Sequence, residues 1–230
     1  MIERKPDCRF CSPNNASWEH FEEYGKSPLD KVRLHESANL VVLPDILPVS
    51  PKFHGLIVPR EHRLALASLF QLNQEVGQTL HRVEKLIGRP LVFFEHGGAS
   101  ERNGGIQSVF HAHGHLISTE KDIRVLDYMK DVLLRMGIQC LGLEDLDPSP
   151  ISNIRKAAKK DCGYLYIQMG RQGLMAYDKE DTFPSQITQR AMSRFLNSGH
   201  ELDWKRIDQD EELARLSVAR IASVIKSCKL

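Results

Sequence analysis

Short apolar runs alternate with longer amphipathic ones along this chain. "NLVVL" (39–43) and "GLIVP" (55–59) are too short for confident helices, and each meets a proline, so both are read as strands. Between them "PDILPVSPKFHG" carries three prolines and reads as a stiff loop. From Leu69 the apolar positions change period. Leu69, Leu72, Val76, Leu80, Val83 and Ile87 recur at three- and four-residue steps, one face of a long helix. Ser68 and Gln71 have the spacing of a capping box at its start, and Gly88 with Pro90 ends it. "LVFFEH" (91–96) is the next strand. After a glycine-rich loop, "QSVFHAHGHLIS" alternates and is read as a strand as well.

The second half reads as a helix over 122–136 closed by Gly137, then a Pro/Asp/Ser stretch (144–152) that is the best linker candidate. "GYLYIQM" and "GLMAYD", joined through "GRQ", predict a hairpin. A helix follows Pro184, with Ile187, Ala191 and Phe195 on one face, and a last one spans about 209–227 with Leu213, Leu216, Ile221 and Val224. The expected class is α+β. A first unit, 1–121, is expected to carry an antiparallel sheet with a long packed helix, and an α/β extension, 122–230, to pack on it.

Composition narrows the function classes. The 230 residues are 41% hydrophobic and 27% charged, ordinary globular usage that speaks against disorder. No apolar run has the length of a membrane helix. A net charge of +1 argues against a protein that binds duplex nucleic acid by neutralising many phosphates. Five cysteines and a polar N-terminus, "MIERKPDCRF", point to a reducing cytoplasm, with cysteines as metal ligands or small buried hydrophobes.

The distinctive chemistry lies in "GIQSVFHAHGHLIS" (105–118). His111, His113 and His115 alternate with Ala112 and Gly114. On a strand they project to one side, roughly 6.7 Å apart at Cα, while Phe110, Ala112, Gly114 and Leu116 face the core. Solvated polar residues or a three-histidine metal site are the competing readings. Cys8 and Cys11 have the two-residue spacing of a zinc knuckle, and a closed tetrahedral site needs two more ligands. Reduced, metal-free thiols are the alternative.

"QSVFHAHGHLI" resembles the signature of the histidine triad (HIT) family. "LPDILPVSPKFHGLIVPREH" is similar to the family's segment upstream, and "CRFC" to the zinc half-site of its bacterial members. The likeness covers about residues 8–118. It implies a HIT-like antiparallel sheet and nucleotidyl chemistry in which His113 attacks the α-phosphorus of a purine nucleotide or dinucleotide. An imidazole suits that role, being largely neutral at pH 7 and able to split one displacement into two. The resemblance further assigns Gln107, Ser108 and His115 to the phosphate and Asp45 to the ribose hydroxyls. Asp45 as a plain turn residue is the alternative. Structural zinc would be held by Cys8, Cys11, His62 and His111, with His54 competing for the third place. A histidine at position 115, where transferases and phosphorylases of the superfamily tend to carry glutamine, points to water as the acceptor. Small family members are often homodimers.

Two departures stand out. The family's asparagine upstream of the motif has no counterpart, with Ser100 and Asn103 nearest to its place, and Gly114 replaces a bulky residue. Glycine there signals close approach of another backbone or a bulge. The second half, with "FFEHG" before it, resembles the CwfJ-like branch through Phe183, Pro184, Gln186, Arg190 and Trp204. That branch admits an RNA end as a ligand; the rival functions are a nucleotidyltransferase or phosphorylase with the same nucleophile and a non-catalytic module that binds a nucleotide or an RNA end. "IRKAAKK" (154–160) is read as a solvated helix face ahead of a polyphosphate contact.

Overall fold

A computed structural model describes residues 8, 10–11, 33–50, 52–98, 111–119, 124–159, 162–179, 183–184, 186–196 and 210–228. Ser100, Asn103, Gln107, Ser108, Phe110 and Trp204 lie outside the described residues. The class is α+β. Strands β1 (His35–Glu36), β2 (Leu40–Pro44), β3 (His54–Pro59), β4 (Leu91–Gly97), β5 (Gly114–Ser118), β6 (Cys140–Leu143), β7 (Gly163–Met169) and β8 (Gln172–Asp178) form one sheet. Its order is β1-β2-β3-β5-β4-β7-β8-β6, and every neighbouring pair is antiparallel. The strands of the second half therefore continue the sheet of the first, joined where β4 pairs β7 with Val92 opposite Met169 and Gly97 opposite Tyr164.

Helices α1 (Asn73–Ile87), α2 (Arg124–Arg135), α3 (Pro150–Ala157), α4 (Ile187–Phe195) and α5 (Glu211–Ser227) complete the described elements. They cover both sheet faces, which explains why the central strands are nearly uninterrupted apolar runs. Val76, Leu80 and Val83 of α1 and Ile151 and Ile154 of α3 pack with Ile57, Phe93, Leu116 and Tyr166 on one face. Met129 and Leu133 of α2 and Ile187, Ala191 and Met192 of α4 pack with Val92, Phe94, Ile117, Leu165 and Ile167 on the other. Consecutive residues of β4 and β7 enter opposite clusters, as a two-residue period requires.

Several local expectations are corrected. The helix expected from Leu69 starts at Asn73, after two 3₁₀ turns (Leu66–Ser68 and Phe70–Leu72). The capping box does not form, because the Ser68 hydroxyl donates to the Ala65 carbonyl and the Gln71 amide to Glu61. The stretch read as a linker turns into the start of α3, with proline in its first turn and Ser149 donating to both the carbonyl and the side-chain oxygen of Asn73. That ties α3 to α1. Among the described residues of the motif, 114–118 are extended and paired while 111–113 are not.

Gly114 marks neither a bulge nor a backbone approach. It pairs regularly with Ile57, and a Cβ there would sit 2.3 Å from the Phe93 ring. An aromatic side chain from the neighbouring strand takes the space.

Candidate functional site

The core face of the motif is Ala112, Gly114 and Leu116, with Ala112 and Leu116 packed among α1 residues. The other face carries the imidazoles. It is roofed, not open, because α2 and α4 cover that side of the sheet.

His115, in β5, is buried, and Phe94 from the adjacent strand stacks flat on its ring at 4.4 Å between centroids. Its Nδ1 lies 3.3 Å from Asp45 Oδ2 and 3.1 Å from His54 Nε2, and His54 Nε2 is 3.4 Å from the same carboxylate oxygen. The three donors lie close enough to enclose a metal. Hydrogen bonding argues otherwise. The Val49 N–H donates to His54 Nδ1 at 3.1 Å, so in the neutral ring the proton sits on Nε2 and points toward Asp45 as a donor. Asp45 is 7% exposed, and burial alone would raise its pKa. His54, His115 and the Leu47 N–H, which bonds Oδ1 at 2.7 Å, outweigh that and hold the carboxyl well below its ordinary range. Burial in turn pushes both His54 and His115 down. The arrangement is an anion flanked by two neutral rings whose N–H groups converge on it.

His113, half-buried, stands just ahead of β5, its ring centroid 5.1 Å from that of His115. Its Nδ1 donates to the His111 carbonyl at 2.7 Å, two residues back. That bond fixes the tautomer and leaves Nε2 with its lone pair free. Burial, then the neighbouring His115, push His113 down to about 4, so it is neutral at physiological pH. With Nδ1 tied and Nε2 without a partner among the described residues, the neutral ring has the form in which an imidazole can act as a nucleophile.

His111 belongs to a different cluster. Its Nε2 donates to the Pro59 carbonyl at 2.8 Å, which turns a bare Nδ1 toward two thiols, Cys8 Sγ at 3.3 Å and Cys11 Sγ at 3.5 Å. Cys11 Sγ is also 3.2 Å from His62 Nδ1. Tetrahedral zinc with bonds of about 2.3 Å to sulfur and about 2.0–2.1 Å to nitrogen would set such atoms about 3.5 Å apart. Donor set, spacing and the backbone bond behind the ring all suit a metal. Burial pushes the Cys8 thiol up and His111 down to about 4, so the ring is neutral, as a ligand must be. Of the two histidines competing for the third place, His62 joins this cluster and His54 the carboxylate one. His111 and His115 thus serve separate clusters on either side of His113.

Four neighbours of the site were missed in the sequence reading. Phe10, inside the Cys-x-x-Cys turn, packs edge-on against His113 at 5.2 Å. Phe94 stacks on His115. His96 lies on the same face of β4 as Phe94, and extending the register that sets Phe94 opposite His115 by two residues puts His96 opposite His113. Its Nε2 is 3.9 Å from Asp178 Oδ2 of β8. Gln189 of α4 brings its side-chain amide nitrogen to 3.3 Å from His115 Nε2. Alternation in "LVFFEH" offers the first sign of Phe94 and His96; for Gln189 the chain pattern gives no signal. Asp45, implied at the ribose by resemblance, directs its carboxylate at the rings of His54 and His115. Phe183 is buried with its ring 6.1 Å from His96, and Gln186 precedes α4 at φ +61.

No family model matches the chain, and no curated protein matches it. Among solved structures, it is similar to a HIT family hydrolase from Clostridium thermocellum, at 22% identity over 51% of this chain and 94% of that one, with a TM-score of 0.35. It is similar also to a hypothetical histidine triad nucleotide-binding protein from Sulfolobus tokodaii, at 22% identity over 50% of this chain and 70% of that one, with a TM-score of 0.31. A yeast Ap4A phosphorylase matches at 13% identity over 62% of this chain and 59% of that one, with a TM-score of 0.38.

Proposed function

We propose that the protein is a HIT-type nucleotidyl hydrolase that cleaves a phosphoanhydride or phosphoramidate of a purine nucleotide, a dinucleoside polyphosphate for example, through a nucleotidyl-His113 intermediate. The observation that supports this is the His113 ring: Nδ1 is tied to the His111 carbonyl at 2.7 Å, and Nε2 has no hydrogen-bond partner among the described residues beside the buried His115. In this reading Nε2 bonds to the α-phosphorus as the leaving group departs with the electron pair of the broken P–O or P–N bond and takes up a proton. Water then attacks the same phosphorus and loses a proton to solvent as the P–Nε2 bond breaks, its electron pair returning to the ring and leaving His113 neutral. In this reading the Asp45–His115 pair would face the developing negative charge, and a carboxylate behind the ring favours a proton on it at that moment.

Cys8, Cys11, His62 and His111 would hold zinc in a closed, structural site, which supplies rigidity and no open coordination position. Its place in this reading is to fix the His111 backbone, whose carbonyl orients His113.

The test is release of nucleoside monophosphate from dinucleoside polyphosphates, nucleoside phosphoramidates and adenylated or capped ends, by wild type and His113→Ala in parallel. Turnover lost in the variant is expected, and trapping the wild type with a slow substrate should yield a phosphorus–nitrogen adduct on His113. Nucleotide binding with no turnover on any panel member would replace the hydrolase by an acceptor-dependent transferase or phosphorylase, and, if added acceptors also give none, by a binding module.

A further inference from the structure

The second half of the chain reaches His115 directly. Its Nδ1 faces an ionised carboxylate, so the proton of the neutral ring sits on Nδ1 and Nε2 is an acceptor. The group at Nε2 is the Gln189 side-chain amide, 3.3 Å away, and with the ring in this form the amide NH₂ donates. The opposite amide orientation would need a proton on Nε2; Nδ1 could then accept from His54 Nε2 at 3.1 Å, but it would lose its bond to the Asp45 carboxylate and set its lone pair 3.3 Å from that charge. Both nitrogens of His115 are thus engaged, one by a residue of the first half and one by a residue of the second.

The neighbouring elements hold this geometry. Ile187, Ala191 and Met192 fasten α4 to the sheet face that carries Phe94 and Ile117, leaving Gln189 half-buried at its edge. The turn before α4 is held where the Phe183 N–H donates to Asp178 Oδ2 at 3.0 Å. At the other nitrogen, α5 grips the loop that presents Asp45. Ser217 donates to the Ile46 carbonyl and Arg220 to the Pro48 carbonyl, the latter at 2.7 Å.

We propose that Gln189 is a positioning residue of the active site: it donates to His115 Nε2, locks the ring in its Nδ1–H form beside His113, and so makes the second half a working part of the site. This rests on the hydrolase reading for its effect on turnover, and on geometry alone for its effect on the ring. The contact fixes the plane of the ring and its Nδ1–H beside Asp45, and the effect on turnover comes from that fixed geometry next to His113.

The experiment uses the full chain with ring-¹⁵N-labelled histidine, His115 being assigned by the signals missing in His115→Gln. Wild type should show a protonated Nδ1 and a bare, acceptor Nε2. Gln189→Leu keeps the bulk and removes the donor; the His115 nitrogens should move toward tautomer-averaged positions, and kcat should fall roughly ten- to a hundredfold with KM nearly unchanged. Gln189→Glu offers an acceptor in place of the donor and should bring a proton to Nε2. Gln189 lies at the rim of the core, and unchanged melting of both variants would assign the effects to the ring rather than to folding. A protonated Nε2 in wild type, or a Gln189→Leu variant with an unaltered His115 spectrum, overturns the proposal. Turnover that survives His113→Ala would overturn the hydrolase reading instead and leave the ring assignment to the spectrum.

Discussion

Glu95 is fully buried in the middle of the sheet, where its carboxylate accepts from the Leu66 N–H at 2.6 Å and the Tyr164 hydroxyl at 2.7 Å. Burial pushes its pKa up to about 7, against those two bonds, which pull it down. A carboxyl raised in the folded state binds its proton more tightly there than in the unfolded chain. Its stabilising share is therefore complete below the unfolded value and is lost as pH rises through about 7. Glu95→Gln should flatten this slope, leaving the protein less sensitive to a change from pH 5 to pH 8 by up to about 3 kcal/mol. Urea unfolding at the two pH values measures it; equal slopes in wild type and variant would contradict it. The carboxylate at position 45 has the opposite balance, being held ionised by its two imidazoles. Asp45→Asn should keep the fold but reduce kcat/KM on the order of 10²-fold, as His115 loses the charge that fixes its proton.

Among the elements, β5 shows most directly how packing chose a residue. A Cβ at position 114 would lie 2.3 Å and 2.7 Å from two atoms of the Phe93 ring, so Gly114→Ala should destabilise by about 1–3 kcal/mol. A cycle with Phe93→Leu should recover part of that, and strict additivity of the two changes in denaturant unfolding would refute the clash. Such cross-strand detail is invisible along the chain, where glycine signalled only close approach. What the sequence did disclose follows from run length and period. Strands β2, β3, β4, β7 and β8 were legible as short apolar runs bounded by proline, glycine or turn residues, and helix α1 as apolar positions three and four apart. The histidine row and the Cys-x-x-Cys pair were legible as motifs. The resemblance put His62 with the cysteines and left His54 competing; spacing alone did not sort them, because one opens β3 and the other lies just beyond its end, and the register of β3 against β5 separates them. Gln189 was hidden for a similar reason: a single polar position on an amphipathic helix acquires meaning only from what the helix covers.

For the whole molecule, the decisive fact is that β4 is flanked by β5 from the first half and β7 from the second. A boundary at 121 would leave β4 as a sheet edge and strip α2 and α4 from the face bearing Phe94 and His115. A fragment of residues 1–121 should accordingly lack a cooperative thermal transition, and circular dichroism melting of fragment against full chain decides it. The N-terminal knuckle belongs to the same unit through Phe10 and His111. Stripping metal with a chelator, or Cys8→Ser, should lower the melting temperature and slow turnover together, whereas loss of turnover at unchanged stability would detach the knuckle from the fold. The grip of α5 on the Asp45 loop spans sequence separations of 171 and 172 residues. During vectorial synthesis at about 5–20 residues per second, the triad leaves the ribosome several seconds before the helix that steadies its carboxylate. The nascent chain therefore carries His113 long before α5 can steady Asp45, and under the proposed hydrolase reading activity should switch on only as α5 docks.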